Sequence, residues 1–294
     1  MNKTASIKIF LKYGDPKRLR TAEISNWTGK AIASPRSDLD ELLTRDELKN
    51  PGVYFLLGKD LEDGEDLAYI GEAETVSSRL KQHKDKEFWN NAIIFVSKDE
   101  NLTKSHIRFL EGKLIEIAQN IGRYKIEHAQ ASGAKLPEAD MNEMEVYLGK
   151  ISQLLPILGT DLLTPLVTKK KTTSSQPTPD SIEATEETLS LNSKGILATG
   201  MRSPNGFVIF KGSKAFSTLR ESATSHGKWV IKLRDELIRS GTLVKDNADY
   251  LFIKDAEFSS PSAAAAVIVG GNANGLTSWK NQRGNTLKEI ENIG

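Results

Sequence analysis

The sequence predicts an α+β chain in two parts: a small three-stranded, mainly antiparallel sheet flanked by helices, and a second small α+β domain. Three observations lead there. Val53-Tyr54-Phe55-Leu56-Leu57 and Ala68-Tyr69-Ile70 are short alternating runs on either side of a polar loop carrying Asp63-Gly64, the pattern of a hairpin with a longer loop. Ile107, Leu110, Leu114, Ile117 and Ile121 recur at three- and four-residue intervals, as on a helix with one buried face. Between 166 and 192 the composition shifts to Lys169-Lys170-Lys171, Ser/Thr, two prolines and an acidic run ending Glu186-Glu187, which has too little apolar surface to fold alone.

From the N-terminus, residues 1–50 read as a leader that packs on the hairpin module after it. Ser6 to Leu11 alternates as a half-buried strand, Gly14-Asp15-Pro16 turns the chain, and Ala22-Glu23-Ile24 is a second polar-apolar run. Trp27 is a packing residue, and Leu39, Leu42, Leu43 and Leu48 mark a short helix after Ser37-Asp38. The hairpin opens the module 51–125. Gly71 is expected to let the backbone turn sharply after the second strand. Arg79 and His83 come next on a helix, four residues apart and so on one face. Phe88-Trp89 and Ala92 to Val96 supply the third strand.

The second helix starts near Thr103, and Glu111 interrupts its apolar stripe. A carboxylate there needs a cation, because burying an unpaired charge costs several kcal/mol. A bound metal satisfies that need, and so does a purely structural pairing with Arg79 or a lysine. Gly112 beside it leaves room for a close approach. Residues 126–165 form a helical extension, with a helix from Asp140 to Leu158 carrying Met144, Leu148, Ile151, Leu154 and Leu155. After the linker 166–192, the domain 193–294 holds the strand-like run Gly206 to Gly212 and a helix through Trp229, Leu233, Leu237 and Ile238 that stops at Ser240-Gly241. Thr242-Leu243-Val244 and Tyr250 to Ile253 pair around Asp246-Asn247, and Pro261 starts an alanine-rich helix.

At 294 residues with 38% hydrophobic content the chain can bury a core in each part. No apolar run reaches the roughly 18 to 20 residues of a membrane helix, and Met1 to Phe10 has no secretory h-region, so a cytoplasmic location is expected and no membrane partner. The absence of cysteine excludes disulfides and thiolate metal sites. Net charge is only +1, but it is segregated: ten Lys/Arg stand against six Asp/Glu from Ser77 to Lys125, and ten acidic residues against three basic from Asp38 to Asp66. A basic surface beside the hairpin suits phosphate, as does the excess of basic over acidic residues between Lys211 and Lys254.

Gly52-Val53-Tyr54, Tyr69-Ile70-Gly71, the Arg79-x-x-x-His83 helix and the later Glu111, in that order, resemble the GIY-YIG nuclease family over roughly Pro51 to Arg123. Phe258-Ser259-Ser260-Pro261-Ser262-Ala263-Ala264-Ala265, then Asn274-Gly275 and Trp279, resembles the DUF4357 domain and more distantly the RAMA domains. The resemblance implies an endonuclease that hydrolyses DNA phosphodiester bonds, with Mg²⁺ or Mn²⁺ held by Glu111, and a C-terminal domain that binds or senses DNA. Within it, Arg79 clamps a phosphate oxygen. Tyr54, supported by Tyr69, acts as base or positions the attacking water, provided a nearby cation favours the phenolate; His83 is the other group suited to proton transfer. A homodimer is expected for double-strand cleavage. The family's closing asparagine has no clear counterpart; Asn120 comes early, and Glu127-His128 is the other substitute. The rival reading is a DNA-binding or modified-DNA-sensing protein with an inactive nuclease-like module. Phe258, Asn274 and Trp279 are expected to hold a turn together rather than to touch bases.

Overall fold

Strands begin in the leader: β1 (Ile7–Leu11), β2 (Arg20–Ile24) and β3 (Gly29–Pro35) form an antiparallel meander. The structure, a computed structural model, describes residues 4–127, 133–165, 188–220, 223 and 228–292. These fall into two units, 1–164 and 165–294. In the first, α1 (Leu39–Leu42) and a 3-10 turn lead to β4 (Gly52–Lys59) and β5 (Asp66–Ala73), the tyrosine hairpin, and on to α2 (Val76–Gln82) and β6 (Trp89–Ser97). Then come α3 (Lys104–Ile121), β7 (Lys125–Glu127) and α4 (Glu138–Leu154).

The sheet is wider than the sequence predicts. Its order is β1-β2-β3-β6-β4-β5-β7, seven strands instead of three. The expected strands are its centre, β6-β4-β5; the leader meander joins through β3, and β7 lies parallel to β5 at Leu67–Tyr69. The unbroken apolar run Ala92 to Val96 is explained by this, because β6 is paired on both edges and buried on both faces. β3 escapes a sequence reading because Ala31-Ile32-Ala33 is small and short of β-branched residues.

Two layers cover the sheet. On one face Val53, Phe55, Ile70 and Phe95 pack against Ile107, Leu110 and Leu114 of α3 and Tyr147 and Ile151 of α4. Trp27 is a packing residue, 4.9 Å from the Tyr147 ring. On the other face Tyr54, Leu56 and Ile94 meet Leu39 and Leu42 of α1, Leu48, Trp89, and Val76 and Leu80 of α2. Thr103 caps α3 reciprocally with His106, and Gly122, at φ 69°, ends it in the left-handed region that glycine tolerates.

The second unit holds β8 (Leu189–Ser193), β9 (Ile196–Ser203), β10 (Gly206–Ile209), β11 (Lys214–Ala215), α5 (Lys228–Arg239), β12 (Leu243–Asp246), β13 (Asp249–Phe252) and β14 (Ala256–Phe258). α6 (Pro261–Val269), α7 (Gly275–Ser278) and α8 (Leu287–Glu291) close it. Its sheets run β14-β10-β9-β8 and β11-β13-β12. The last four residues of the expected linker, 189–192, are strand; its residues 166–187 lie outside the described residues.

Eight of the nine residues of α6 are buried, so its alanines let the strands approach closely. Trp279 is fully buried, its Nε1 donating to the Pro261 carbonyl at 3.0 Å and its ring 4.4 Å from Phe207. Asn274 caps α7 by accepting from the Leu276 N–H, and Phe258 packs edge-on to Phe252. Each of the three side chains has a partner within this unit.

Candidate functional site

Antiparallel pairing puts Tyr54 opposite Gly71 and Leu56 opposite Tyr69, so both tyrosines point to the face that α2 covers. Gly71 sits within β5, not at a turn as expected, and its role is to leave space. A Cβ there would stand 2.5 Å from Tyr54 Oη and 2.7 Å from the Tyr69 ring. The Tyr54 phenol lies across this gap and meets His83, its Oη sharing a 2.9 Å hydrogen bond with Nε2. Tyr69, half-buried, stacks on Tyr54 with ring centres 5.9 Å apart and lies 4.7 Å from the His83 ring.

Helical spacing then brings Arg79 to the same place. It is exposed, donates from Nη1 to Gln82 Oε1 at 2.8 Å, and has its pKa raised by contact with the Tyr54 and then the Tyr69 oxygens. His83 caps the end of α2, and its main-chain carbonyl accepts from Trp89 Nε1 at 3.0 Å. Arg36 locks the next turn by donating to the Lys84 carbonyl at 2.7 Å while its guanidinium lies 4.7 Å from the Trp89 ring centre. Four predicted residues, from two strands and one helix, are thus held in one cluster.

Burial governs their ionisation. The Tyr54 hydroxyl is pushed well above its usual value by desolvation, and the Arg79 contact lowers it only in part, so Tyr54 remains a neutral phenol. His83 is lowered from 6.5 to about 4, first by burial, then by the charges of Lys86 and Arg79, with Glu127 acting the other way. At neutral pH both partners of the Tyr54–His83 bond are uncharged. The Nδ1 of His83 is buried without a hydrogen-bond partner.

Glu111 comes from another element, α3. The apolar residues of that helix pack on the opposite face of the sheet, against Val53, Phe55 and Ile70, and Glu111 is half-buried. The two faces meet at the β5 edge, where β7 pairs only as far as Tyr69. No group of three His, Asp or Glu side chains that could hold a metal exists among the described residues. Asn120 is exposed on α3, and His128 lies outside the described residues. Glu127 is the carboxylate that reaches the tyrosine face: it pairs in register with Tyr69, and its Oε1 accepts from Lys86 Nζ at 2.9 Å. Sequence spacing gives no hint of Lys86, whose ammonium lies 4.8 Å from the Tyr69 ring centre.

In the second unit the described residues from Leu189 of β8 to Glu291 of α8 build around one hydrophobic core. Residues 189–291 match the family model of a domain of unknown function, DUF4357. The ends of the DUF4357 match coincide with the first residue of β8 and the last of α8. No curated protein and no solved structure matches the chain. Among the described residues no helix is long and apolar enough to cross a membrane.

Proposed function

We propose that the first unit hydrolyses phosphodiester bonds of DNA, as a GIY-YIG nuclease does, and that the DUF4357-like unit holds or senses the DNA. The observation that carries this reading is the Tyr54–His83 hydrogen bond with the exposed Arg79 guanidinium beside it. Buried polar side chains are costly to maintain in a core, and an apolar trio would pack the same space without that cost. Arg79 has a planar fork with five donors, enough to serve the phenols and a phosphate oxygen at once. Fixed donors of this kind stabilise charge that develops on the phosphate.

His83 is uncharged at neutral pH and a weakened base, so its hydrogen bond with Tyr54 holds the phenol in place beside Arg79 rather than drawing off its proton. Tyr69 presents the half-exposed side of the cluster to an incoming water or phosphate. The substrate would lie across the β5 edge beyond Tyr69, with Arg79 from α2 and Glu111 from α3. A divalent cation at Glu111 fits only as a one-carboxylate site, taking its other oxygens from water and the substrate, as Mg²⁺ commonly does. When bound, it supplies positive charge against the developing phosphate charge.

Nicking of supercoiled plasmid with and without Mg²⁺ tests the reading. One site per chain should give nicked circles before linear DNA, with double-strand breaks needing a second copy or a second encounter. Arg79→Ala and Glu111→Ala should each slow nicking by on the order of a hundredfold. Undiminished nicking in Arg79→Ala, or linear DNA without nicked circles from a monomer, would sink it. The lack, among the described residues, of any group of three carboxylate or imidazole side chains that could hold a metal favours a second reading, a DNA-binding or modification-sensing protein with no cleavage. Salt-sensitive DNA binding without nicking, with or without metal, would select it.

A further inference from the structure

Lys86 and Glu127 belong to neither strand tyrosine nor helix motif, yet they close the side of the cluster that faces β7. Lys86 Nζ lies 4.8 Å from the Tyr69 ring centre and 6.0 Å from that of Phe88, and donates to Glu127 Oε1 at 2.9 Å. Both side chains of the pair are largely shielded, at 30% and 27% exposure, so their charges are screened less than those of a surface pair. Glu127 is placed by parallel pairing of β7 opposite Tyr69, on the face that carries Tyr54 and His83. A cation over one ring face and an anion on the neighbouring strand restrain Tyr69 from two sides.

We propose that Lys86 and Glu127 are a positioning pair for this site: the ion pair fixes the Tyr69 ring against His83 and places two opposed charges beside the imidazole. This rests on the proposed hydrolytic reading for its purpose, though not for its test. The groups that face the His83 ring are Tyr54 of β4, Tyr69 of β5, Arg79 of α2, Lys86 of the turn after α2, and Glu127 of β7. Arg36 lies behind the same turn, bonded to the carbonyls of Lys84 and Lys86. Only Lys86 and Glu127 within this set are a matched pair whose members act on the imidazole in opposite directions. Removing either member therefore takes away one of two opposed influences on the imidazole.

The experiment is a titration of His83 by NMR in the full chain, its signal assigned among the four histidines with His83→Gln. Lys86→Met keeps the length of the stem and removes the cation, so His83 should titrate at higher pH, by about half a unit or more. Glu127→Gln keeps the shape and removes the anion, so His83 should titrate at lower pH than in the parent chain. Tyr69 ring resonances should shift in both variants, while the melting temperature of at least Glu127→Gln stays near that of the parent. Opposite displacements establish the pair, whether or not the chain nicks DNA, so a failure of the hydrolytic reading would be seen separately in the plasmid assay. Displacements of the same sign, or none in either variant, overturn it.

Discussion

Burying an imidazole beside an arginine and a lysine has a cost that depends on pH. The folded chain holds His83 at about 4, below the ordinary 6.5, because water is excluded and two cations stand near. Between those two values the unfolded chain binds a proton at this position that the folded chain does not, so stability falls as pH drops through the window and levels off below it. His83→Gln should remove that part of the slope. Urea unfolding near about pH 7 and about pH 4.5 should show a smaller loss in the variant than in the parent, and an unchanged loss would contradict the assignment. The side chains that make this site were legible where spacing alone decides. Arg79 and His83 share a helix face by their four-residue interval, and the two tyrosines follow from strand alternation. Glu127 was not legible as a neighbour of Tyr69, because only the parallel pairing of β5 and β7 brings it there. The location of Glu111 relative to the tyrosines was hidden for a similar reason, since a helical period does not say which face of a sheet the helix will cover.

Among elements, β5 and α4 each contain a glycine, and alanine should have opposite effects in them. In β5, a methyl group at Gly71 would collide with Tyr54 Oη, which is fixed by His83. Gly71→Ala should destabilise the first unit by about 1 to 3 kcal/mol and disturb the Tyr54–His83 contact, seen by denaturant unfolding and by the His83 resonance. In α4, Gly149 is exposed with no neighbour within 4 Å of an added Cβ, so Gly149→Ala should stabilise by about 0.5 to 1 kcal/mol. If both variants moved the same way, the space argument for Gly71 would fail. The hairpin, α3 with its Thr103 start, and the pairing of β12 with β13 all follow from periodicity and turn chemistry. The width of the sheet did not follow, because β3 and β7 are short or weakly apolar and gain their structure from the strands beside them.

At the scale of the whole molecule, the separate cores around Phe55 and Tyr54 in one unit and Phe207 and Trp279 in the other make each unit self-sufficient. Pieces spanning 1–165 and 188–294 should each unfold in a single cooperative transition. The DNA role of the second unit predicts that the piece 188–294 binds duplex with an affinity that falls steeply with salt; no binding even at low salt would remove that role. Within the first unit, β6 has a further importance that lies in time rather than in space. β3, at Gly29–Pro35, pairs β2 along one edge and Trp89–Ser97 along the other, and that same β6 strand pairs β4 along its far edge. During synthesis the leader meander and the tyrosine hairpin are both complete before the strand that joins them exists. Until residue 97 has been added they are a three-stranded meander and a hairpin with no strand between them, and the hairpin is marginal by itself. The floor of the site is therefore assembled late, by one segment that recruits both halves at once, and a chain cut short before Ser97 has the Tyr54 strand without the neighbour that would bury it.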